Sequence, residues 1–323
     1  MTRMSIGRRD VLKRLGAAGA ALAAAGGVAG LAWDRGGGVA QTKASPKVRD
    51  FRQGAALDEP SMAIARNDTD PAALAKKAVD ALGGMKRFVS RGDIVVVKPN
   101  IGWDRTPLHA ANTNPLVVAE IVRQAYDAGA KNVVVTDASC NEPARCFTRS
   151  GIWQAAYDAG AEVIMPAQHR FRPMRLQGEV LGEWPVYTAL VEADKLINVP
   201  VAKHHNLAKY TGAMKNWYGS LGGRRNRLHQ NIDTSIADLA TFLRPTLTVL
   251  DATRILLRNG PQGGNIADTK ELFTVVASID QVAADAFGCE LIGLTARDVP
   301  YMAMAEGRGL GTTDYASLSP VEV

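Results

Sequence analysis

Cysteine is scarce in this chain, with three among 323 residues. So few, and an odd number, exclude the disulfide framework that holds small secreted domains together. A four-cysteine iron–sulfur cluster is also excluded, because three side chains cannot supply four thiolates. The spacing of Cys140 and Cys146 matches no common zinc or haem motif. It is compatible with one local disulfide and equally with two unpaired thiols.

Several signatures of common enzyme classes are missing as well. No Gly-x-Ser-x-Gly nucleophile elbow occurs, so a catalytic serine triad has no support. The glycine-rich segments 219–223 and 260–264 match neither the P-loop nor the dinucleotide fingerprint. Such turns still allow backbone N–H groups to approach a phosphate or a carboxylate. They agree with anion binding without indicating a particular nucleotide.

Acidic residues are absent from segment 195–232. Its basic and imidazole side chains are Lys195, Lys203, His204, His205, Lys209, Lys215, Arg224, Arg225, Arg227 and His229. Cations held together without counter-charges repel each other, and they lose hydration when buried. The segment therefore predicts that an anion lies against it, a solvated basic loop being the alternative.

The first forty residues have the features of an export signal. The pair Arg8 and Arg9 precedes an uncharged segment, 15–33, that is rich in Ala and Gly. This arrangement is typical of a twin-arginine (Tat) signal, and the small residues ending at Ala40 predict cleavage there. We expect the Tat machinery to export the folded protein to the periplasm. Retention at the cell envelope through an uncleaved signal is the alternative.

The charge and composition of the chain beyond residue 40 limit the kinds of partner that it is expected to bind. The net charge is +6, and residues 1–40 hold six basic and two acidic side chains, which leaves about +2 for the mature chain. We therefore expect no nucleic-acid partner and no membrane contact except through a retained signal. Residues 41–70 are polar and aperiodic, which predicts a linker or an extended arm. Residues 71–323 are expected to form a single α/β domain.

Short apolar runs alternate with amphipathic segments in this domain. Continuous runs rich in β-branched residues predict strands at 94–97, 132–136, 162–165, 195–199, 246–250 and 273–277. Helical periodicity is found at 71–88, 115–129, 151–160, 232–243 and 281–294. The alternation predicts an α/β fold with a mostly parallel, Rossmann-like layered sheet and helices on both faces.

Polar residues follow five of the predicted strands. Ligands of open α/β sheets bind beyond the carboxyl ends of the strands, so we expect these residues to converge on one crevice. The set consists of Lys98, Asn100, Asp137, Lys203, His204, His205, Asp251 and Asp280. Turn-forming residues are common at strand ends in any protein, but the five ends together favour a site.

Short motifs in the same region resemble one protein family. They are Val-Lys-Pro-Asn at 97–100, Asn-Thr-Asn-Pro at 112–115, Asn-Val-Pro at 198–200, Thr-Gly-Ala-Met-Lys-Asn at 211–216 and Asp-Gln-Val-Ala-Ala-Asp-Ala at 280–286. Together they resemble the domain of unknown function 362 family over roughly 93–294. The resemblance implies no general activity. Some members carry ferredoxin-like cysteine clusters, and this chain departs from them because its three cysteines are scattered.

The leading functional hypothesis is an enzyme for a small anionic substrate that carries a phosphate or a carboxylate. The side chains expected to bind it are Lys98, Asn100, Lys203, Lys215 and Asn216. Acid–base catalysis is expected from His204, Asp251 or Asp280.

Two alternatives use the same region. The first is a metal- or cofactor-binding protein associated with redox chemistry, although the sequence names neither the metal nor the cofactor. Its candidate ligands are either His204 or His205 with His109, His229 or Asp251, or instead an oxygen site of Asp137, Asp251 and Asp280. The second is a module that binds an anion without turning it over.

Overall fold

The computed structural model describes residues 48–52 and 59–323. The twin-arginine pair, the cleavage site and part of the expected linker (41–47 and 53–58) lie outside these residues. The helices described are α1 (Pro71–Ala81), α2 (Pro115–Asp127), α3 (Pro143–Arg149), α4 (Ile152–Asp158), α5 (Thr188–Val191), α6 (Ala213–Asn216), α7 (Ile232–Phe242), α8 (Gln281–Glu290) and α9 (Pro300–Gly307). The strands are β1 (Met62–Ala65), β2 (Ile94–Pro99), β3 (Asn132–Thr136), β4 (Glu162–Ile164), β5 (Phe171–Arg175), β6 (Glu183–Tyr187), β7 (Lys195–Val199), β8 (Val201–His205), β9 (Lys209–Thr211), β10 (Leu247–Leu256), β11 (Thr269–Ser278) and β12 (Val321–Glu322).

A central sheet has the strand order β12-β1-β11-β10-β7-β2-β3-β4. The pairs β10–β7, β7–β2, β2–β3 and β3–β4 are parallel. Strand β11 is antiparallel to both β10 and β1. Strand β8 pairs with β10 and with β9, and β5 and β6 form a separate hairpin. The predicted α/β class with a mostly parallel sheet is confirmed.

Helices cover both faces of the sheet, as predicted. Alternate side chains of a strand point to opposite faces, so Val95 and Val97 join one core and Val96 joins the other. The first core contains residues of α1, α2 and α4. The second contains residues of α7, α8, α9 and the β5–β6 hairpin. Continuous β-branched runs were therefore a sound guide to strands buried on both faces.

Local sequence explains where the main helices begin. Asp70 and Asn114 precede α1 and α2, and each side chain accepts a hydrogen bond from a backbone N–H in the first turn. Proline occupies the first helical position in both, where its missing N–H costs nothing.

In the part of the chain that the structure describes, no helix is long and apolar enough to span a membrane.

The expected boundary of the domain is wrong at its amino-terminal side. Strand β1 lies inside the segment interpreted as a linker or arm, yet its four residues are buried and pair with β11 and β12. A four-residue run is too short to show a period against polar flanks, which is why the strand was missed. The fold therefore begins before Pro71.

Candidate functional site

A cavity of about 130 Å³ lies beyond the carboxyl ends of β2 and β3. It is bounded by β8, β9, α6 and the turn at 217–220. Its polar and glycine lining consists of Asn100, Gly102, Asp137, Cys140, Lys203, His205, Thr211, Lys215, Asn216, Tyr218, Gly219, Arg225 and His229. Four of the five predicted substrate-binding residues therefore lie at one cavity.

The fifth, Lys98, is fully buried and does not line the cavity. Its Nζ lies 2.7 Å from Asp137 Oδ1 and 3.0 Å from the carbonyl oxygen of Pro99. The other carboxylate oxygen of Asp137 accepts a hydrogen bond from Ile101 N–H at 2.7 Å. Burial lowers the pKa of Lys98, and the neighbouring carboxylate opposes that effect. Lys98 thus neutralises Asp137, the cavity's carboxylate, and substrate contact by Lys98 is not supported.

Gly219 makes this ion pair possible. A Cβ added there would lie 1.8 Å from Asp137 Oδ1 and 2.9 Å from Lys98 Nζ. The backbone at 219 therefore approaches the pair more closely than any residue with a side chain could.

Lys203 reaches the cavity from β8. Its Nζ donates hydrogen bonds to Asn100 Oδ1, at 3.2 Å, and to the carbonyl oxygen of Ala111. No carboxylate of the described residues forms an ion pair with it. Burial lowers the pKa of this ammonium to about 7, and the charge of Lys98 contributes in the same direction. The amine can therefore gain or lose a proton near neutral pH.

Lys215 reaches the same cavity from the short helix α6. It forms no ion pair or hydrogen bond within the described residues, and its Nζ lies 3.3 Å from the centroid of the Tyr218 ring. Burial lowers its pKa to about 7 as well, and Lys203 adds to that effect. The carboxylate of Asp285 accepts hydrogen bonds from the N–H groups of Ala213 and Met214, so it fixes the start of the helix that carries Lys215.

Three asparagines connect three of the family motifs, those at 97–100, 198–200 and 211–216. Asn100 Nδ2 donates to Asn216 Oδ1 at 3.1 Å, and Asn216 Nδ2 donates to Asn198 Oδ1 at 2.8 Å. Asn198 Nδ2 in turn donates to the carbonyl oxygen of Ala213 at 2.9 Å. This chain holds α6 against the ends of β2 and β7. Asn100 and Asn216 therefore shape the cavity as well as lining it.

Arg225 adds a third cation that no carboxylate of the described residues neutralises. Its guanidinium donates to the carbonyl oxygens of Ala138, at 2.6 Å, Tyr218, at 3.3 Å, and Ser139. Carbonyl groups orient the guanidinium without cancelling its charge.

Two histidines, His205 and His229, line the cavity, whereas His204 was the predicted acid–base group and does not line it. Adjacent strand residues point to opposite sides, and Nδ1 of His204 accepts a hydrogen bond from Gly260 N–H at 3.2 Å instead. Nδ1 of His205 accepts from the N–H groups of Leu207 and Ala208, both at 3.1 Å. These bonds assign its proton to Nε2. Burial, with help from Lys215, lowers its pKa to about 2, so the ring is neutral.

The two predicted catalytic aspartates lie away from the cavity. Asp251 is buried, and its carboxylate accepts hydrogen bonds from Asn114 N–H at 2.7 Å and from Thr253 N–H and Oγ1. Asp280 caps α8 through Val282 N–H and Ala283 N–H. Because β11 is antiparallel to β10, its carboxyl end lies at the opposite edge of the sheet. The expected convergence is therefore wrong for Asp280, and Asp251, on a strand parallel to β7, does not line the cavity.

The candidate metal ligands do not converge either. Among the described residues, no group of three or more His, Cys, Asp or Glu side chains is placed to hold a metal ion. Cys140 and Cys146 both carry free thiols, so the local disulfide is not formed. The donor set of this region is dominated by amines, a guanidinium and amides, which suit anions better than metal ions.

Among the cavity residues, sequence reasoning did not single out Cys140, Thr211 and Tyr218, and it gave Arg225 no individual role. All except Cys140 belong to the acid-free segment, so its charge pattern was the usable signal. Period-two alternation along 201–205 would also have separated His205 from His204, since Lys203 and His205 share a side.

Comparison with known proteins places the chain in a family. It is 25% identical over 243 residues to a thylakoid-associated protein of Synechocystis sp., covering 73% of this chain and 74% of that protein. The lactate racemase apoprotein from Thermoanaerobacterium thermosaccharolyticum aligns over 76% of this chain and 58% of its own, with 14% identity and a TM-score of 0.43. A protein from Thermotoga maritima aligns over 69% of this chain and 60% of its own, with 13% identity and a TM-score of 0.42. The model of the domain of unknown function (DUF362) matches residues 95–290, which is more than half of the chain. The chain therefore belongs to the DUF362 family.

Proposed function

We propose that the protein binds a small anionic substrate, phosphate- or carboxylate-bearing, in this cavity and acts on it by acid–base chemistry. One observation carries the proposal: Lys203, Lys215 and Arg225 surround a single cavity whose one carboxylate, Asp137, is already paired. Burying cations without counter-charges costs free energy. A bound anion would recover that cost, which gives the arrangement a physical reason.

The cavity volume limits the ligand to a compact group. About 130 Å³ accommodates an orthophosphate, a phosphate monoester head or a short carboxylate. The donors available are of the kinds that suit such anions: two lysine amines, a guanidinium, and side-chain amides. Asn100 and Asn216 are fixed by their mutual hydrogen bond. They would orient the ligand, whereas the cations would supply most of the attraction.

In this proposal the two lysines also supply the acid and the base. With both pKa values at about 7, one amine can be protonated while the other is free at neutral pH. A general acid or base works best when its pKa is close to the working pH. His205 is neutral and would donate a hydrogen bond from Nε2–H. We assign catalysis to Lys203 and Lys215 in place of His204, Asp251 and Asp280.

Export belongs to the proposal and rests on the sequence alone. Arg8, Arg9 and the uncharged segment after them favour delivery of the folded protein to the periplasm by the Tat machinery. Delivery after folding suits a site whose parts come from four separated segments of the chain.

Calorimetric titration of the purified protein with orthophosphate, sulfate and short carboxylates tests the proposal. We expect binding of at least one of these anions, and Lys203→Met should weaken it by about tenfold or more, because it removes a charge that faces the anion. Lys131→Met removes an exposed lysine and serves as the matched control. Loss of binding in both variants, or in neither, would contradict the proposal. Binding without turnover of any phosphate or carboxylate ester would favour the non-catalytic module.

A further inference from the structure

Cys140 lies at the mouth of the cavity and has no part in the function proposed above. Its side chain is exposed, its thiol is free, and it forms part of the cavity wall. Cys146 and Cys289 are buried, and burial raises the pKa of the first thiol to about 11 and that of the second to about 12. A solute in the cavity can therefore reach Cys140 and not the other two thiols.

Hydrogen bonds fix the backbone around this thiol. The N–H groups of Cys140 and of the following residue both donate to the carbonyl oxygen of Gly102, at 2.9 and 3.1 Å. The guanidinium of Arg225 donates to the carbonyl oxygen of the preceding residue. A Cβ added at Gly102 would lie 4.0 Å from Cys140 Sγ and 3.4 Å from Asn100 Oδ1. The thiol and the Asn100 amide therefore border the same space.

Two polar side chains, both more than nine-tenths buried, face the cavity without a hydrogen-bond partner. Lys215 is 7% exposed, and its ammonium lies against the Tyr218 ring without an ion pair or a hydrogen bond in the described residues. Thr211 is 3% exposed, and its Oγ1 has no hydrogen-bond partner. A cation and a hydroxyl are thus left for the charged group of a ligand, in the cavity that the thiol borders.

We propose that Cys140 is a nucleophile for an anionic electrophile, a molecule with an electrophilic carbon close to a carboxylate or a phosphate. This inference rests on the proposed function, because the anionic group must first bind beside Lys215. In the reaction, the sulfur forms a bond to the carbon while the bond from that carbon to the leaving group breaks. The leaving group departs with the bonding electron pair, and the thiol proton passes to the free amine of Lys203 while Lys215 stays protonated and holds the anion.

Proximity and electrostatic attraction together should make Cys140 react faster with an anionic electrophile than with a neutral one. An anion held by the cavity cations has its reactive carbon confined near a thiol whose backbone is fixed, so the reaction becomes effectively intramolecular. The uncompensated charge of Lys203, Lys215 and Arg225 also raises the local concentration of anions over that of neutral molecules.

Iodoacetate and iodoacetamide provide a matched pair of probes, because both carry the same reactive carbon and leaving iodide and differ in charge. The rate of modification of each cysteine is measured on the full chain by peptide mass spectrometry. We expect modification at Cys140, with a ratio of iodoacetate to iodoacetamide rates about tenfold or more above that of an unstructured cysteine peptide. Sulfate should slow the reaction of iodoacetate. Lys215→Met should lower the ratio, whereas Lys131→Met should leave it unchanged.

Three outcomes would overturn the assignment. The first is a ratio equal to that of the peptide, and the second is a preference for iodoacetate that sulfate and Lys215→Met do not alter. The third is modification of Cys146 or Cys289 at the rate of Cys140. If sulfate binds by calorimetry while the ratio equals that of the peptide, the role of Cys140 fails and the proposed function stands. If none of orthophosphate, sulfate and the short carboxylates binds either, both fail.

Discussion

The Asp137→Asn variant is expected to lose about 3–5 kcal/mol of its free energy of unfolding, because it leaves the buried Lys98 ammonium without its carboxylate. Lys98 is 0% exposed, so water cannot replace the lost partner. The amide of Asn can still accept the hydrogen bond from Ile101 N–H, which limits the loss to the charge. Urea denaturation of the purified variant measures the effect.

An exposed ion pair provides the matched control. Lys76 and Asp80 lie one turn apart on α1, and both side chains are about half exposed. Asp80→Asn should therefore cost less than about 1 kcal/mol. The double variant Lys98→Met with Asp137→Asn should recover much of the stability, since neither charge is then buried. If Asp137→Asn costs no more than Asp80→Asn, the buried ion pair of Lys98 and Asp137 does not stabilise the cavity.

The second large effect is expected for Lys215→Met, which should make the protein more stable and weaken its binding of sulfate. Lys215→Met replaces a buried, unpaired ammonium with an apolar side chain of similar length. We expect the free energy of unfolding at about pH 6 to rise by about 1–3 kcal/mol and the affinity for sulfate to fall by about tenfold or more. A residue that costs stability and contributes binding is typical of a functional site.

The destabilising effect of the buried Lys215 ammonium should also appear in the pH dependence of the free energy of unfolding. The pKa of Lys215 is about 7 in the folded protein, against 10.5 for an exposed lysine. Between these two values the unfolded chain binds the extra proton, so stability should rise with pH above 7, by up to about 1.4 kcal/mol per pH unit for each such lysine. Lys215→Met should remove one lysine's share of this rise, and Lys131→Met should remove none. A variant that is less stable than the wild type at about pH 6 and binds sulfate equally well would contradict this account.

Much of the sheet could be predicted because its strands are continuous β-branched runs. Strands β2, β3 and β7 are buried on both faces, and a run such as Val95–Val97 indicates this directly. Strands β8 and β9 could not be found this way, because the first contains Lys203 and two histidines and the second is three residues long. Polar side chains of these two strands line the cavity. Because they interrupt the apolar pattern, the residues that form the site also prevent the strands from being recognised in the sequence.

The direction of β11 explains the error over Asp280. A continuous apolar run indicates burial and carries no information on direction. A parallel neighbour requires a crossover, usually a helix, whereas an antiparallel one can follow a loop. The connection from Leu256 to Thr269 contains only the short turn Ile266–Asp268, and the sequence showed no helical periodicity there. The lack of a predicted helix between β10 and β11 therefore indicated an antiparallel pair. It placed Asp280 at the edge of the sheet opposite the cavity.

The pairing of Lys98 with Asp137 was beyond sequence reasoning for a different reason. Both residues were identified at strand ends, but neither spacing nor composition states which cation a carboxylate will neutralise. The register of β2 against β3 and the absence of a side chain at Gly219 bring the two together. The net charge of the cavity depends on that pairing.

Calorimetric titration of the wild-type protein with sulfate at about pH 6 and about pH 8.5 tests the central claim most directly, because sulfate keeps its charge over this range. The anion needs charged lysines, and the pKa values of Lys203 and Lys215 are both about 7. We therefore predict binding at the lower pH and an affinity lower by about tenfold or more at the higher pH. No binding at the lower pH, or an equal affinity at both, would contradict the claim that these buried lysines form an anion site.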